Sequence, residues 1–403
     1  MNEYAMADPN VPPSESTTCE AVDRKDPMPA AVVGSVARWP WRTCVGAWVV
    51  SRVVVLATLL ATRIVFDDAT GERARVLDRG LRSWDGAFYA DIARGGYDAV
   101  DPAGLRFFPL LPLLGRGLAA ITPLAAGPAV VVVANLMALG ALFAIERLVA
   151  HEYDAATARV AVWIAALAPP AFVLVMGYAE STLMVAATLA LLAARRHRFG
   201  QAGLWCMVGA LARPTGLLLV VPMAIELARS WRARPAPWSL PTLLRASFGL
   251  AGAPLGIGLY LVAVRSRTAT LLEPLRIHDR PSLRGGVRNP LAATADALGD
   301  LIAGDRFASG VHFLTIVVLV VLMIVLWRHA PRSFFAYGLV SMVLAVSANN
   351  LDSLERYSLA TVPFVVAAAI AIRRSRREVL IVIAMATTMV GFAAASFAGE
   401  LVP

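Results

Sequence analysis

"SGVHFLTIVVLVVLMIVLW" (residues 309–327) contains no Asp, Glu, Lys or Arg, and it is long enough to cross a bilayer as a helix. Its apolar residues run continuously and do not alternate, which suits a helix and argues against a barrel strand. The same pattern recurs along the chain. Spans are expected near 44–66, 127–149, 157–176, 179–195, 244–264, 309–328, 332–348, 357–373 and 378–398. Of the 403 residues, 58% are hydrophobic and 16% charged. A soluble domain carries about 25% charge. The expected fold is therefore an all-α polytopic membrane protein.

Two apolar segments do not read as plain spans. Residues 105–124 contain Pro109, Pro112, Pro123, Gly115 and Arg116, and residues 201–227 are interrupted by "LARPTG" (Leu211 to Gly216). The basic clusters "ARRHRFG" (194–200), "RSWRARPAPW" (229–238), "RHAPR" (328–332) and "RRSRRE" (373–378) belong on the cytoplasmic side by the positive-inside rule. That rule makes 201–227 a hairpin broken at Pro214, which enters and leaves on one side. It keeps 105–124 at the outer interface as a short broken helix. Three loops then face outward: 67–126, 265–308 and 349–357, with the turn "MGYAES" (176–181) beside them. Residues 1–42 are polar, include Pro12 and Pro13, and read as a disordered cytoplasmic tail leading into an uncleaved first helix. The net charge of +9 serves topology here, and no nucleic-acid partner is expected. Cys19, Cys44 and Cys206 form neither a disulfide framework nor a metal motif.

The outward segments carry polar groups that a passive scaffold would not need. "RSWDGAFYADIARGGY" (82–97) supplies Asp85 and Asp91 beside Trp84, Phe88 and Tyr89. The turn supplies Tyr178 and Glu180. The second loop supplies Arg276, His278, Arg280, Arg284 and Arg288, and the last segment Asp352, Glu355, Arg356 and Tyr357. A carboxylate can take a hydroxyl proton as general base, and arginine binds phosphate through a planar fork. Each residue also has an ordinary reading. Asp85 could cap a helix beginning at Gly86, and the aromatics could anchor at headgroups. Glu180 could cap a helix, and Arg213, inside an apolar segment, could simply pair with an acid. Arg356 could pair with Asp352 or Glu355, Arg52 could snorkel toward the cytoplasm, and Asp91, Asp98 and Asp101 read as solvated loop acids.

Taken in order, "SWDGAFYADIARGGY", "RFFPLLPLL" (106–114), "MGYAEST", "LARPTG" and "ERYSLATVPF" (355–364) resemble the PIG-V-like mannosyltransferases. These are bacterial relatives of glycosylphosphatidylinositol mannosyltransferase II, in the GT-C class of membrane glycosyltransferases. The resemblance runs from about residue 46 to about 370, and Gly177 stands where that family often has proline. It implies a GT-C-like bundle of about nine to eleven transmembrane helices with short interfacial helices in the external first loop. It also implies an inverting transfer of mannose from a polyprenyl-phosphate sugar donor to a glycolipid or envelope glycan acceptor. The reaction would take place among membrane lipids on the external face of the cell membrane. Asp85 would be the catalytic base. Trp84, Tyr89, Tyr178, Glu180, Arg213, Arg356 and Tyr357 would line the substrates, with no cofactor, and with a divalent metal compatible but not required. A lipid or sugar transporter, with its broken helices, and a non-catalytic membrane partner of a glycosyltransferase are the competing classes.

Overall fold

The computed structural model describes residues 41–233, 239–280, 283, 285–303 and 307–403. The expected tail before Trp41, with Cys19, lies outside these residues, as do Arg284 and part of the basic cluster 229–238. The described chain is nearly all helical, with one isolated bridge between Val287 and Ala348. It is a polytopic membrane protein. Five helices are long and apolar enough to cross a membrane, or six if one bent pair counts as a span.

The helices shuttle between two ends, here called upper and lower, and side-chain contacts fix the direction of each. The first, α1 (Trp41–Val65), ends where Arg63 Nη2 donates to Leu77 O at 2.6 Å in α2 (Gly71–Arg79). Two more short helices follow at this upper end, α3 (Asp85–Gly95) and α4 (Leu110–Ile121). From there α5 (Ala126–Glu152) descends until Glu152 meets Arg195 at 2.8 Å. The chain returns upward through α6 (Ala155–Leu167) and a 3₁₀ segment (Pro169–Leu174), reaching Gly177, whose N–H donates to Leu81 O. Next, α7 (Glu180–Arg195) descends, α8 (Phe199–Ala212) ascends, and α9 (Val220–Arg232) descends again. Arg213 pairs with Glu180 at the top and Arg195 with Glu226 at 3.1 Å at the bottom.

The ascending α10 (Leu240–Ala263) ends with Tyr260 Oη donating to Leu105 O at 2.6 Å. The upper loop holds α11 (Glu273–Arg276) and α12 (Pro290–Ala303). Then α13 (Phe307–His329) descends to His329, whose carbonyl accepts from Tyr153, and α14 (Arg332–Val346) rises from Ser333, bonded to Glu226 at 2.5 Å. The short α15 (Leu354–Ala360) stays at the top. α16 (Val362–Ser375) descends to Arg374, and α17 (Glu378–Phe397) climbs back to Ser396. Over the described residues this makes eleven passes between the ends. Residues 67–125, the described part of the second loop and 347–361 all lie at the same end, although the arginines of the second loop would favour the other side by charge alone.

Three expectations change in detail. The span 157–176 is helical only to Leu167, because Pro169 and Pro170 cannot continue the hydrogen-bonded ladder. The span 357–373 is two helices bent by 81° at Thr361, with Pro363 in the first turn of the second. Arg52 does not snorkel. Its Nε donates to Asn135 Oδ1 at 2.8 Å and its Nη2 to Leu174 O at 2.9 Å, over the ring of Trp48, so it ties α1 to α5 and the 3₁₀ segment. The segment 201–227 folds as the expected hairpin, broken at Arg213.

Lipid supplies no hydrophobic force between helices, so close packing holds them. The tightest seam joins α8 to α10. A Cβ added to Gly252 would sit 2.0 Å from Gly203 O, and one added to Gly256 would sit 2.6 Å from Met207 O. The turn of the hairpin is equally tight, since a Cβ on Gly216 would meet Gly209 at 2.4 Å. On the outside of the bundle Leu314, Val318, Val321 and Ile324 of α13 are exposed, as lipid-facing side chains should be.

Gly252→Ala is expected to cost about 1–3 kcal/mol by forcing two backbones apart. Gly258→Ala, with no atom within 4 Å of its added carbon, should be neutral. Thermal unfolding in detergent compares the two, and equal stability would contradict the seam. The direction of the passes has its own check. Cysteines placed at Asp101 and Arg280 should react with an impermeant thiol reagent added outside cells, and those at Arg198 and Ser375 should not.

Candidate active site

Asp85 is delivered by a strained turn. Trp84 has φ 55, a left-handed conformation that side chains rarely adopt, and it immediately precedes α3. Its indole Nε1 donates to Ser396 O at 3.2 Å, which fixes the turn against α17. Behind it, Phe88 stacks on Phe107 at 4.7 Å and Tyr89 meets the same ring edge-on at 5.1 Å. Asp85 is the first residue of α3 and does not cap the helix with its side chain. Its carboxylate points instead to a group 271 residues away.

That group is Arg356. Its Nη1 donates to Asp85 Oδ2 at 2.6 Å and its Nη2 to Ser353 Oγ at 3.1 Å, and its Nε lies 3.0 Å from Glu180 Oε1. Glu180 Oε1 also receives Arg213 Nη1, so one carboxylate serves two arginines. Glu180 is 0% exposed, Arg356 5% and Arg213 7%. Tyr357 lies against both guanidiniums, at 5.0 Å from Arg213 and 5.4 Å from Arg356. Tyr178 lies under Arg356 at 5.1 Å, and its hydroxyl accepts the N–H of Asp85 at 3.3 Å. Asp85, Tyr178, Glu180, Arg213, Arg356 and Tyr357 therefore converge, while the indole of Trp84 turns to α17. Tyr89 is buried beside them in the aromatic cluster behind α3.

The ordinary alternatives resolve one by one. Arg356 does not pair with Asp352 or Glu355. Those two face His312, whose Nδ1 donates to Glu355 Oε1 at 2.9 Å and whose Nε2 lies 3.6 Å from Asp352. Glu180 starts α7, where the helix dipole favours an acid, and it also neutralises Arg213. Asp91 pairs with exposed Arg94, Asp98 with Arg267, and Asp101 caps the 3₁₀ turn 102–106. In the second loop Arg288 pairs with Asp296, while Arg276 and Arg280 are exposed. Cys44 and Cys206 are buried free thiols.

Burial pushes the Asp85 carboxyl up, but Arg356, Arg106 and Arg213 outweigh it and hold the group below the ordinary carboxylate range. Arg106 lacked any assigned role from sequence. It stacks over Phe88 and Phe107 at 5.1 and 4.5 Å, a platform legible only once α3 and the following turn pack together. Two buried polar atoms of the cluster, Arg213 Nε and Glu180 Oε2, have no hydrogen-bond partner, and Arg356 Nε has only its ion pair with Glu180. Beside Tyr357 lies a small recess, lined mainly by Leu183, Leu218, Tyr337, Leu344 and Ala360. Among the described residues, no three His, Cys, Asp or Glu side chains are grouped to hold a metal.

No family model matches the chain, and no curated protein matches it either. Solved structures do. The oligosaccharyltransferase of Archaeoglobus fulgidus tethered with an acceptor peptide aligns at 11% identity and TM-score 0.46, covering 90% of this chain and 56% of that one. ArnT from Cupriavidus metallidurans bound to undecaprenyl phosphate aligns at 16% identity and TM-score 0.49, covering 81% and 62%. AglB from Archaeoglobus fulgidus, in complex with an inhibitory peptide and a dolichol-phosphate, aligns at 12% identity and TM-score 0.46, covering 89% and 56%. The chain thus spans little more than half to three fifths of these proteins.

Glu180→Gln should destabilise the protein by about 3–5 kcal/mol, since it leaves buried Arg213 without its carboxylate while Arg356 keeps Asp85. Asp91→Asn, which removes an exposed pair, should cost about 0–1 kcal/mol. Denaturant titration of both variants gives the difference, and a mild Glu180→Gln would mean that the arginines are solvated.

Proposed function

We propose that this protein is an inverting glycosyltransferase of the GT-C class. It would move a sugar, mannose in our reading, from a polyprenyl-phosphate donor to a lipid-linked or cell-envelope acceptor at the outer face of the cell membrane. The observation that carries the reading is Arg356, a buried arginine shared between Asp85 and Glu180 with a second arginine beside it. A base and a cluster of permanent cations meet at one end of a membrane bundle. Transfer from a lipid phosphate needs both.

In this reading the donor phosphate lies against Arg356 and Arg213, and the unpartnered Arg213 Nε offers it a hydrogen bond. We place the prenyl chain on the apolar side of Tyr357, where Leu183, Leu218 and Leu344 line the small recess. The Asp85 carboxylate takes the acceptor hydroxyl proton as the oxygen attacks the anomeric carbon from the face opposite phosphate. The bond between that carbon and the phosphate oxygen breaks, and its electron pair leaves with the phosphate. A diester monoanion becomes a monoester with additional negative charge, which the two guanidiniums stabilise as it develops. No step requires a metal, since arginine remains charged throughout.

Asp85 is also tied to Arg356 before substrate arrives. A phosphate that draws on Arg356 weakens that tie and makes Asp85 more basic, so the charge of the donor helps to prepare the base. The apolar packing of Tyr89, Phe88 and Phe107 behind α3 keeps the carboxylate at a fixed depth.

Purified protein in nanodiscs, given polyprenyl-phosphate mannose and a membrane glycolipid extract, should release polyprenyl phosphate and extend an acceptor. Movement of intact donor across the bilayer without release would support a transporter. Asp85→Asn should lower turnover by about 10²-fold or more, the usual worth of a general base being about 10²–10⁴. The depressed Asp85 pKa keeps the base ionised at neutral pH, so activity in kcat/KM should fall only as pH drops below the ordinary carboxylate value of about 3.9. Arg356→Ala removes the main opposing cation and should move that acid limb upward. An unmoved limb would assign the titration to another group.

A further inference from the structure

We propose that His312 of α13 is a positioning residue for Arg356, acting through Glu355. The claim rests on the reading of Arg356 as the donor-phosphate ligand, and on geometry that stands without it.

The short helix α15 has seven residues, Leu354–Ala360. It is entered through Ser353, a left-handed residue at φ 73, and it leaves through the 81° bend at Thr361. Two turns bounded by such breaks do not hold their own orientation, because isolated helices need about 12–15 residues to be even marginal. Side-chain anchors must set the rotation of α15. At 3.6 residues per turn, neighbouring residues project roughly 100° apart. Glu355 accordingly faces α13, while Arg356 faces α3 and α7.

The grip on Glu355 is firm. It is 8% exposed and takes His312 Nδ1 at 2.9 Å and Thr315 Oγ1 at 3.1 Å, both from α13. His312 is 5% exposed and reaches Asp352 with its other nitrogen at 3.6 Å. Both ring nitrogens therefore face carboxylates on either side of Ser353, the residue that also accepts from Arg356 Nη2. A lone buried glutamate would need only one partner. Here the imidazole bridges the residues before and within α15, so rotating the helix would break contacts on both. The chain of dependence runs from His312 to Glu355, to the azimuth of α15, and to the placement of Arg356 between Asp85 and Glu180.

The test uses the full chain in nanodiscs, with undecaprenyl phosphate as the probe and the variants His312→Ala, His312→Asn, Arg356→Lys and His312→Ala/Arg356→Lys. Two quantities are read on folded protein: the dissociation constant of the probe, and the titration of Asp85 by difference infrared spectroscopy, assigned with Asp85→Asn. His312→Ala should weaken the probe about tenfold, as a small misplacement of a binding group does. It should also raise the Asp85 titration, because Arg356 recedes. His312→Asn, whose amide can donate to Glu355 in place of Nδ1, should recover most of both. In the Arg356→Lys background His312→Ala should add little, since the two changes act on one contact. Unchanged affinity and titration in a folded His312→Ala would overturn the proposal, as would full additivity with Arg356→Lys. If Arg356→Lys itself leaves the probe unaffected, the donor-phosphate reading fails. The infrared titration of His312→Ala then decides positioning alone, a raised value supporting it and an unmoved one refuting it.

Discussion

Two arginines and a glutamate are shut away from water at one end of this bundle, and a buried charge is costly unless it is paired and hydrogen-bonded. One carboxylate, Glu180, cannot neutralise two guanidiniums. Asp85 completes the balance by approaching Arg356 from the first upper loop. That requirement reaches into every neighbouring element. It demands that α7 begin with an acid, that the 199–232 hairpin break where Arg213 emerges, and that α15 turn one particular face inward. It also demands that Trp84 accept an unfavourable backbone so that α3 starts in the right place.

The lower end meets its own charge demand differently. Arg195 joins Glu152 to Glu226, and Arg229 and Ser333 complete the shell around Glu226. These groups pair by hydrogen bonds among α5, α7, α9 and α14 and fasten the helix ends. Near Asp85 the polar atoms are less completely matched. Incomplete satisfaction in a buried cluster calls for an explanation, and the proposed donor phosphate would supply one.

Much of the topology was legible because lipid imposes simple rules. Long charge-free runs, arginine clusters and the Pro214 break gave the passes and placed three loops at a common end. What those rules could not read was anything that depends on pairing across distance. Nothing near Asp85 in sequence names Arg356, and nothing near Arg52 names Asn135. The local readings of Arg356 with Asp352 or Glu355, and of Arg52 as snorkelling, were reasonable on spacing alone. They fail because tertiary contacts offer better partners. The break at Pro169 and the bend at Thr361 were hidden in apolar runs, where hydropathy does not register backbone geometry. His312 and Arg106 stood in plain sight, but their meaning comes from the carboxylates and rings brought to them by other helices.

The separation of Glu180 and Arg213 by 33 residues, one down-and-up pair of helices, also bears on how the chain is made. Polypeptide enters the membrane from its N-terminus, so Glu180 is in place before Arg213 emerges, and the two can neutralise each other as α7 and α8 insert. Arg356 arrives much later. Until it does, Asp85 waits without its partner, and the site exists as an ion pair and an orphan acid on a partly built bundle. Biosynthesis thus passes through a stage that is electrically tolerable in lipid but lacks the Asp85–Arg356 pair, and the helices after α13 complete the upper charge cluster as well as the fold.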